Sequence, residues 1–330
     1  MKNKRVLITG GMGFIGPSVI NRLKKNNEIV VIDRLDYGIP DKLKNSLNIE
    51  FEFIKEDLSD INNIHNRIKS GEFDVIIHMA SISLIPVCEN KPDYAFKSNT
   101  ISPLNILKSN IEKAVFLNFS TSAVYSPANK NHNEEDYFEP IDVYGWTKKH
   151  TEDLAKFYSK KLNFPVINIR LANAIGHGET NLKLFGEILS QIERGNSEIK
   201  LGNLSPRRDY VHTEDIAWAV ENLIDSNTVK NGHFESFNIG TGYDPVSVKD
   251  VFELINKVHN GKLSLIEDDK RKRSPDQERE LLAIDIDKLL KVLPNYKPKK
   301  IDELISDIVL DPGLRIGNSF VEDIYYKDQK

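Results

Sequence analysis

Short apolar runs recur along the chain: RVLIT (5–9), EIVVID (28–33), FEFIKED (51–57), DVIIHMA (74–80), VFLNFS (115–120), PVINIR (165–170) and SFNIG (236–240). The first six alternate with amphipathic stretches such as 17–26, 60–70, 93–111 and 145–162. Near-continuous Val/Ile/Leu strands that alternate with helices predict an α/β fold, a doubly wound parallel sheet with both faces covered. From about residue 173 the rhythm breaks. Segments 173–207 and 261–330 read as irregular, rich in Asn, Gly, Pro and charge, while helical patterns return at 213–226 and 247–258. The expected organisation is a nucleotide-binding core over 1–172, to which 208–243 returns, and a smaller C-terminal lobe from 173–207 and 244–330. The tail 311–330 has no clear pattern.

Composition narrows the function classes. The net charge of -4 gives no electrostatic reason to expect nucleic acid or an anionic membrane as partner. No stretch approaches the ~20 apolar residues of a membrane span. The single cysteine, Cys88, excludes an internal disulfide and fits a reducing compartment. The opening MKNKRVLITG turns directly into a strand pattern without an apolar signal core, so the cytoplasm is the expected location. No metal site is expected, and Cys88 reads as a buried bystander.

TGGMGFIG (9–16) follows the first strand and opens the first helix. Gly10, Gly13 and Gly16, with Phe14 and Ile15 between the last two, form a turn in which backbone can approach a pyrophosphate. The helix N-terminus offers N–H groups and a positive dipole end to the phosphates, and Pro17 is at ease there. Asp33 ends the second strand about 20 residues on, where a carboxylate accepts from ribose hydroxyls. It favours NAD over NADP, because a 2′-phosphate would face a negative charge, although Arg34 beside it softens that choice.

Three tyrosines have a lysine four residues later: Tyr144/Lys148, Tyr296/Lys300 and Tyr326/Lys330. Pro298 interrupts the second pair, and the third ends on the last residue. Tyr144/Lys148 stands before a long helical pattern, so both side chains share one face. A phenol titrates near ~10, and an ammonium one turn away, together with a positive nicotinamide ring, is expected to lower it toward a usable base. FSTSAVYS (119–126) ends the fifth strand and brings hydroxyls to the ligand crevice.

TGGMGFIG, Asp33, Asp57-Leu58, HMA (78–80), Asn99, STSAVY (120–125), YGWTK (144–148) and RLANAIG (170–176) resemble the extended short-chain dehydrogenases/reductases, the nucleotide-sugar epimerase/dehydratase group. RRDYVHTEDIA (207–217), FNIGTG (237–242) and RSPDQERELLAID (273–285) are similar to that group's later landmarks. The resemblance spans roughly residues 5 to 305. It implies a Rossmann-type core with a substrate-binding lobe. It also implies roles: Tyr144 as catalytic base, Lys148 as its ribose-binding partner, and Thr121, with Ser122 beside it, as the hydroxyl that holds the sugar. Asp57 and Leu58 would meet the adenine end, Met79 and Ala80 would line the cofactor, and Asn99 would brace the site. Asn173, Asn181, Leu182, Arg208 and Arg273 match substrate positions, the two arginines clamping a diphosphate. His78, His177 and His212 read as readily as structural histidines. A homodimer through the helices at 93–111 and 145–162 is implied as well.

The reactions of the group share one opening, oxidation of a sugar carbon, usually C4, by NAD. Its dehydratases carry Thr-Asp-Glu at the strand end, whereas here Ser122 and Ala123 follow Thr121. Neither moves a proton as a carboxylic acid does, so dehydration is disfavoured. Epimerisation is the first expectation and net oxidation to the 4-keto sugar the second. A NADPH-dependent keto-sugar reductase is opposed by Asp33, and the different class is a non-catalytic NAD-sensing protein. Ser126 and Pro275 replace family glycines and bear on the sugar pocket. KLGNLSPRRDYVH (200–212) is similar to the matching stretch of GDP-mannose dehydratases, which favours a GDP-linked sugar over a UDP-linked one.

Overall fold

Seven strands, β1 (Arg5–Thr9), β2 (Glu28–Asp33), β3 (Glu52–Lys55), β4 (Val75–His78), β5 (Val115–Thr121), β6 (Val166–Leu171) and β7 (Phe234–Ile239), form one sheet in the order β7-β6-β5-β4-β1-β2-β3. Every neighbouring pair is parallel. The computed structural model describes residues 1–36, 38–45, 48–109, 111, 113–179, 183–272 and 278–311. The strands alternate faces as period two demands: Val6, Ile8, Val75 and Ile77 enter one apolar cluster, Leu7 and Ile76 the other. Helices Gly16–Leu23 and Thr213–Asp225 cover the first face, and Ile61–Gly71, Ser102–Leu107 and Val143–Leu162 the second. The chain runs outward from β1 to β3, then returns to place β4 against the other side of β1. That reversal opens a crevice at the strand ends, where Gly10 and Ala80 lie.

The helix predicted over 93–111 is broken. Pro92–Phe96 passes into a π turn at Lys97–Ile101, and α-helix resumes at Ser102–Leu107. Pro103 has no N–H to give the Asn99 carbonyl four residues back. That carbonyl instead accepts from the Thr151 hydroxyl at 2.6 Å, so the break ties this segment to the neighbouring helix.

The segments read as irregular hold more order than expected. Helices Leu184–Glu193 and Ile301–Leu310 pack with Val248–Val258 around Phe185, Leu189, Phe252, Ile255 and Ile308. Leu184, Phe185, Ile188, Leu189 and Ile192 recur at helical spacing within only ten residues, and the surrounding polar sequence hides the pattern. Glu198–Leu201 pairs with Ser264–Glu267, and Arg207–Arg208 lies between Val246–Ser247 and Leu281–Leu282. No described helix is long and apolar enough to cross a membrane.

Candidate active site

A cleft of about 840 Å³ runs along the strand ends. One end is lined by Gly10, Gly13, Phe14, Ile15 and Gly16, then by Asp33, Arg34, Asp57 and Leu58. Gly10 has φ +72°, and a Cβ there would stand 2.5 Å from the backbone of Ala80. A Cβ on Gly16 would come within 2.0 Å of the Gly11 carbonyl oxygen. The turn is thus folded tightly enough that only glycine fits, and it leaves the N-terminal end of helix Gly16–Leu23 open to the cleft. A dinucleotide's pyrophosphate fits such a cradle.

Asp33 accepts from the Met12 N–H at 3.0 Å through one oxygen and from the Leu35 N–H at 2.7 Å through the other. Burial nevertheless raises its pKa, against these two bonds. It both pins the glycine turn and faces the cleft. Arg34 does not stand alone beside it. Its Nε donates to Asp36 at 2.6 Å, Asp57 lies 3.7 Å from Nη1, and its guanidinium covers the Tyr94 ring at 4.9 Å. The carboxylates outnumber the arginine at this end of the cleft, and neither Asp36 nor Tyr94 was anticipated from sequence.

Met79 and Ala80 line the same cleft, as do Thr121, Ser122, Tyr144 and Lys148. Tyr144 occupies the first turn of helix Val143–Leu162, whose N-cap Asp142 accepts from the Gly145 N–H at 2.6 Å. Thr121 ends β5 and accepts from the Ala123 N–H at 3.2 Å, which caps the short turn that follows. The Thr121 hydroxyl lies close enough to the Tyr144 phenol to draw its pKa down. Gly145 permits this approach, because a Cβ there would lie 2.7 Å from the Ala123 carbonyl oxygen.

The electrostatics depart from expectation in one respect. Burial against Ile82, Leu84 and Cys88 raises the Tyr144 pKa, the Thr121 hydroxyl opposes it, and Cys88 and Asp142 add to it. Burial also brings Lys148 itself down to about 8, with Glu152 opposing. Glu152, one turn beyond, accepts from the Ser120 hydroxyl and pairs with Arg170 at 2.9 Å. Arg170 continues to the Tyr125 hydroxyl at 3.1 Å, and Tyr125 to Asn238 at 2.7 Å. This buried chain behind the site was missed, because its members are far apart in sequence.

Asn99 lies behind the cleft wall rather than along it. Its side chain accepts from the Ile82 N–H at 2.7 Å and donates to the Ile82 carbonyl and the Thr147 hydroxyl, both at 2.9 Å. That is bracing between the loop after β4 and the tyrosine's helix, and it uses both amide N–H donors. His78 is buried, bonded to the Thr9 hydroxyl at 2.8 Å and stacked on Phe116.

Asn173 and Arg208 line the far end of the cleft, with Lys183, Lys200, Arg271 and Arg279. Arg208 donates to the Arg279 carbonyl at 2.8 Å and pairs with Glu278 at 3.2 Å. Asn181, Leu182 and Arg273 lie outside the described residues. Arg279, six residues after Arg273, carries no local signal that would have singled it out.

Residues 6–240 match the model of the NAD dependent epimerase/dehydratase family. The chain is 30% identical to a putative UDP-glucose 4-epimerase of Methanocaldococcus jannaschii, over 76% of this chain and 81% of that protein. It is 27% identical to GDP-6-deoxy-D-talose 4-dehydrogenase of Aggregatibacter actinomycetemcomitans, over 88% of this chain and 92% of that one. Its fold superposes on UDP-glucuronic acid 4-epimerase from Bacillus cereus, solved with UDP-glucuronic acid and NAD, with a TM-score of 0.80 at 22% identity, covering 97% and 100% of the two chains.

Proposed function

This chain belongs to the NAD dependent epimerase/dehydratase family, and from that premise we propose that it oxidises C4 of a nucleotide-activated sugar and returns the 4-keto intermediate as the epimer. Its cofactor is NAD. The observation that carries the reading is the placement of Thr121 beside the Tyr144 phenol in the cleft, with Lys148 one turn further along the same helix. The glycine cradle and Asp33 would hold the pyrophosphate and the adenosine ribose, and Asp57 and Leu58 the adenine end. Met79 and Ala80 would flank the nicotinamide half, and Lys148 would bond its ribose. When bound, NAD supplies the acceptor for the hydride that leaves C4 and a positive ring charge near the phenol.

Thr121 then holds the C4 hydroxyl in line with Tyr144, and Tyr144 takes its proton as the carbinol becomes a ketone. Lys148, below its usual pKa yet charged at neutral pH, stabilises the phenolate. Ser122 and Asn173 would position the sugar, and Arg208, with Arg273, Asn181 and Leu182, the diphosphate and nucleoside. The lobe formed by 173–207 and 244–330 would thus bind substrate, while 1–172 and 208–243 bind cofactor.

Net oxidation with release of the 4-keto sugar is the second reading, favoured by the likeness to a GDP-sugar 4-dehydrogenase. Ser122 and Ala123 still argue against dehydration. The stretch 200–212 and that same relative favour a GDP-linked sugar, while the likeness to a UDP-glucose epimerase favours UDP. A homodimer is supported by Phe96, Ile101, Trp146 and Phe157, exposed on adjacent helices, with Phe96 and Trp146 both against His150. Light scattering at micromolar concentration that gives a monomer mass would remove that part.

Mass detection after incubation with GDP-, UDP-, dTDP- and CDP-sugars tests the reaction. A new peak of unchanged mass means epimerisation, loss of two hydrogens means net oxidation, and loss of water refutes the argument from Ser122 and Ala123.

A further inference from the structure

Arg279 is buried in the cleft wall, and its guanidinium bonds backbone alone among its described hydrogen bonds. Nη1 donates to the Tyr125 carbonyl at 2.7 Å and Nη2 to the Ala123 carbonyl at 3.0 Å. Both carbonyls belong to the turn after Thr121. The Ala123 oxygen is also seated against Gly145, next to Tyr144, where no Cβ could stand. Arg279 therefore presses the Thr121 turn onto the first turn of the tyrosine's helix. On its other side, its own carbonyl accepts from Arg208 Nη1 at 2.8 Å. A continuous chain of bonds leads from Arg208, through Arg279, to the segment that carries Thr121.

A residue that only filled space here would not need a charge, and burying one is costly, offset here in part by the charge of Asp142, the N-cap of the tyrosine's helix. A residue that only bound phosphate would keep its donors for the cleft. Two parallel N–H groups on carbonyls two residues apart instead fix the shape of the turn, which a planar fork does and a lysine ammonium does not.

We infer that Arg279 is a positioning residue, which transmits the seat of Arg208 to Thr121 and so aligns Thr121 and Tyr144 with the sugar hydroxyl. The inference rests on the C4-oxidation reading, and its test separates the two. Hydrogen–deuterium exchange over 121–126 is measured in the full-length protein, in Arg279→Met and in Arg279→Lys, with NAD, and with UDP or GDP as probe. Exchange is expected to be faster in Arg279→Met and intermediate in Arg279→Lys. UDP or GDP should slow it in the wild type and leave Arg279→Met unchanged.

With a sugar that is turned over, Arg279→Met should lose at least about ten-fold in kcat, while the dissociation constants of NAD and of UDP or GDP hold within about three-fold. Wild-type exchange in both variants overturns the inference. So does a fall of turnover and UDP or GDP binding by the same factor, which would make Arg279 a phosphate ligand. If Arg279→Met does not fold, Arg279→Lys decides by the same criteria. A wild-type protein that turns over no sugar in the panel counts against the C4-oxidation reading, and the exchange results then decide Arg279 by themselves.

Discussion

Glu152 and Arg170 form an ion pair at 2.9 Å in the protein interior, one helical turn beyond Lys148. The carboxylate also receives the Ser120 hydroxyl, so the pair joins the tyrosine's helix to the ends of β5 and β6. Removing one partner of such a pair leaves a buried charge uncompensated, which costs about 3–5 kcal/mol. Glu152→Gln keeps an acceptor and should fall at the lower end of that range, read as a reduced urea midpoint. The Glu152 charge also helps Lys148 keep its proton. The alkaline limb of the rate–pH profile should therefore move to lower pH in Glu152→Gln. An unmoved limb would show that Lys148 does not feel this carboxylate.

The seven strands and the glycine turn were legible because their signals are local: period, apolar content and punctuation lie within a few residues. Tyr144, Lys148 and Thr121 were legible as a motif, and the structure brings them to one wall. What was not legible depends on separation. Arg170 meets Glu152 and Arg279 meets Ala123 across the fold, and nothing in the flanking sequence marks them. The π turn at Lys97–Ile101 had a local cause in Pro103, yet its consequence, the bond from Thr151 to the Asn99 carbonyl, is tertiary. The raised pKa of Tyr144 follows from the apolar packing of Ile82, Leu84 and Cys88, which pair spacing alone does not report.

Tyr144→Phe should retain NAD and lose turnover. The ring still packs in its apolar cluster and only the hydroxyl beside Thr121 goes, so stability should change by about 1 kcal/mol. Loss of the acid–base group should lower kcat by about 10²–10⁴-fold. Titration calorimetry with NAD and a turnover assay on the sugar identified by mass detection check both halves. Full activity in this variant would sink the mechanism.

NAD should bind more tightly than NADP, because Asp33 faces the cleft and Arg34 is already held by Asp36 and Asp57. A preference of at least about ten-fold, or 1.4 kcal/mol, is expected for one opposed charge in a partly buried site. Asp33→Ser should narrow it. That change also removes the acceptor of the Met12 and Leu35 N–H groups, so affinity for both cofactors should fall. Equal dissociation constants in the wild type would show that Arg34 compensates for Asp33 after all.

Stability should carry an acid-sensitive contribution from His78. Burial, with Lys148 nearby, lowers its pKa from 6.5 to about 3. The native state therefore excludes a proton that the unfolded chain accepts below 6.5, and stability is lost as pH falls through the window between these values. The part of this loss incurred by pH 5 amounts to on the order of 2 kcal/mol. His212, lowered to about 4, acts in the same direction. Glu179, raised to about 7, and Asp209, raised to about 6, act oppositely, since their native forms bind a proton that the unfolded chain releases. The wild-type slope is a difference between these groups, so the histidine is isolated by substitution. His78→Asn keeps a partner for the Thr9 hydroxyl and removes the titration. Its urea midpoint should fall less between pH 7 and 5 than that of the wild type. Parallel curves would mean that His78 gains a proton in the folded protein as readily as in the unfolded chain.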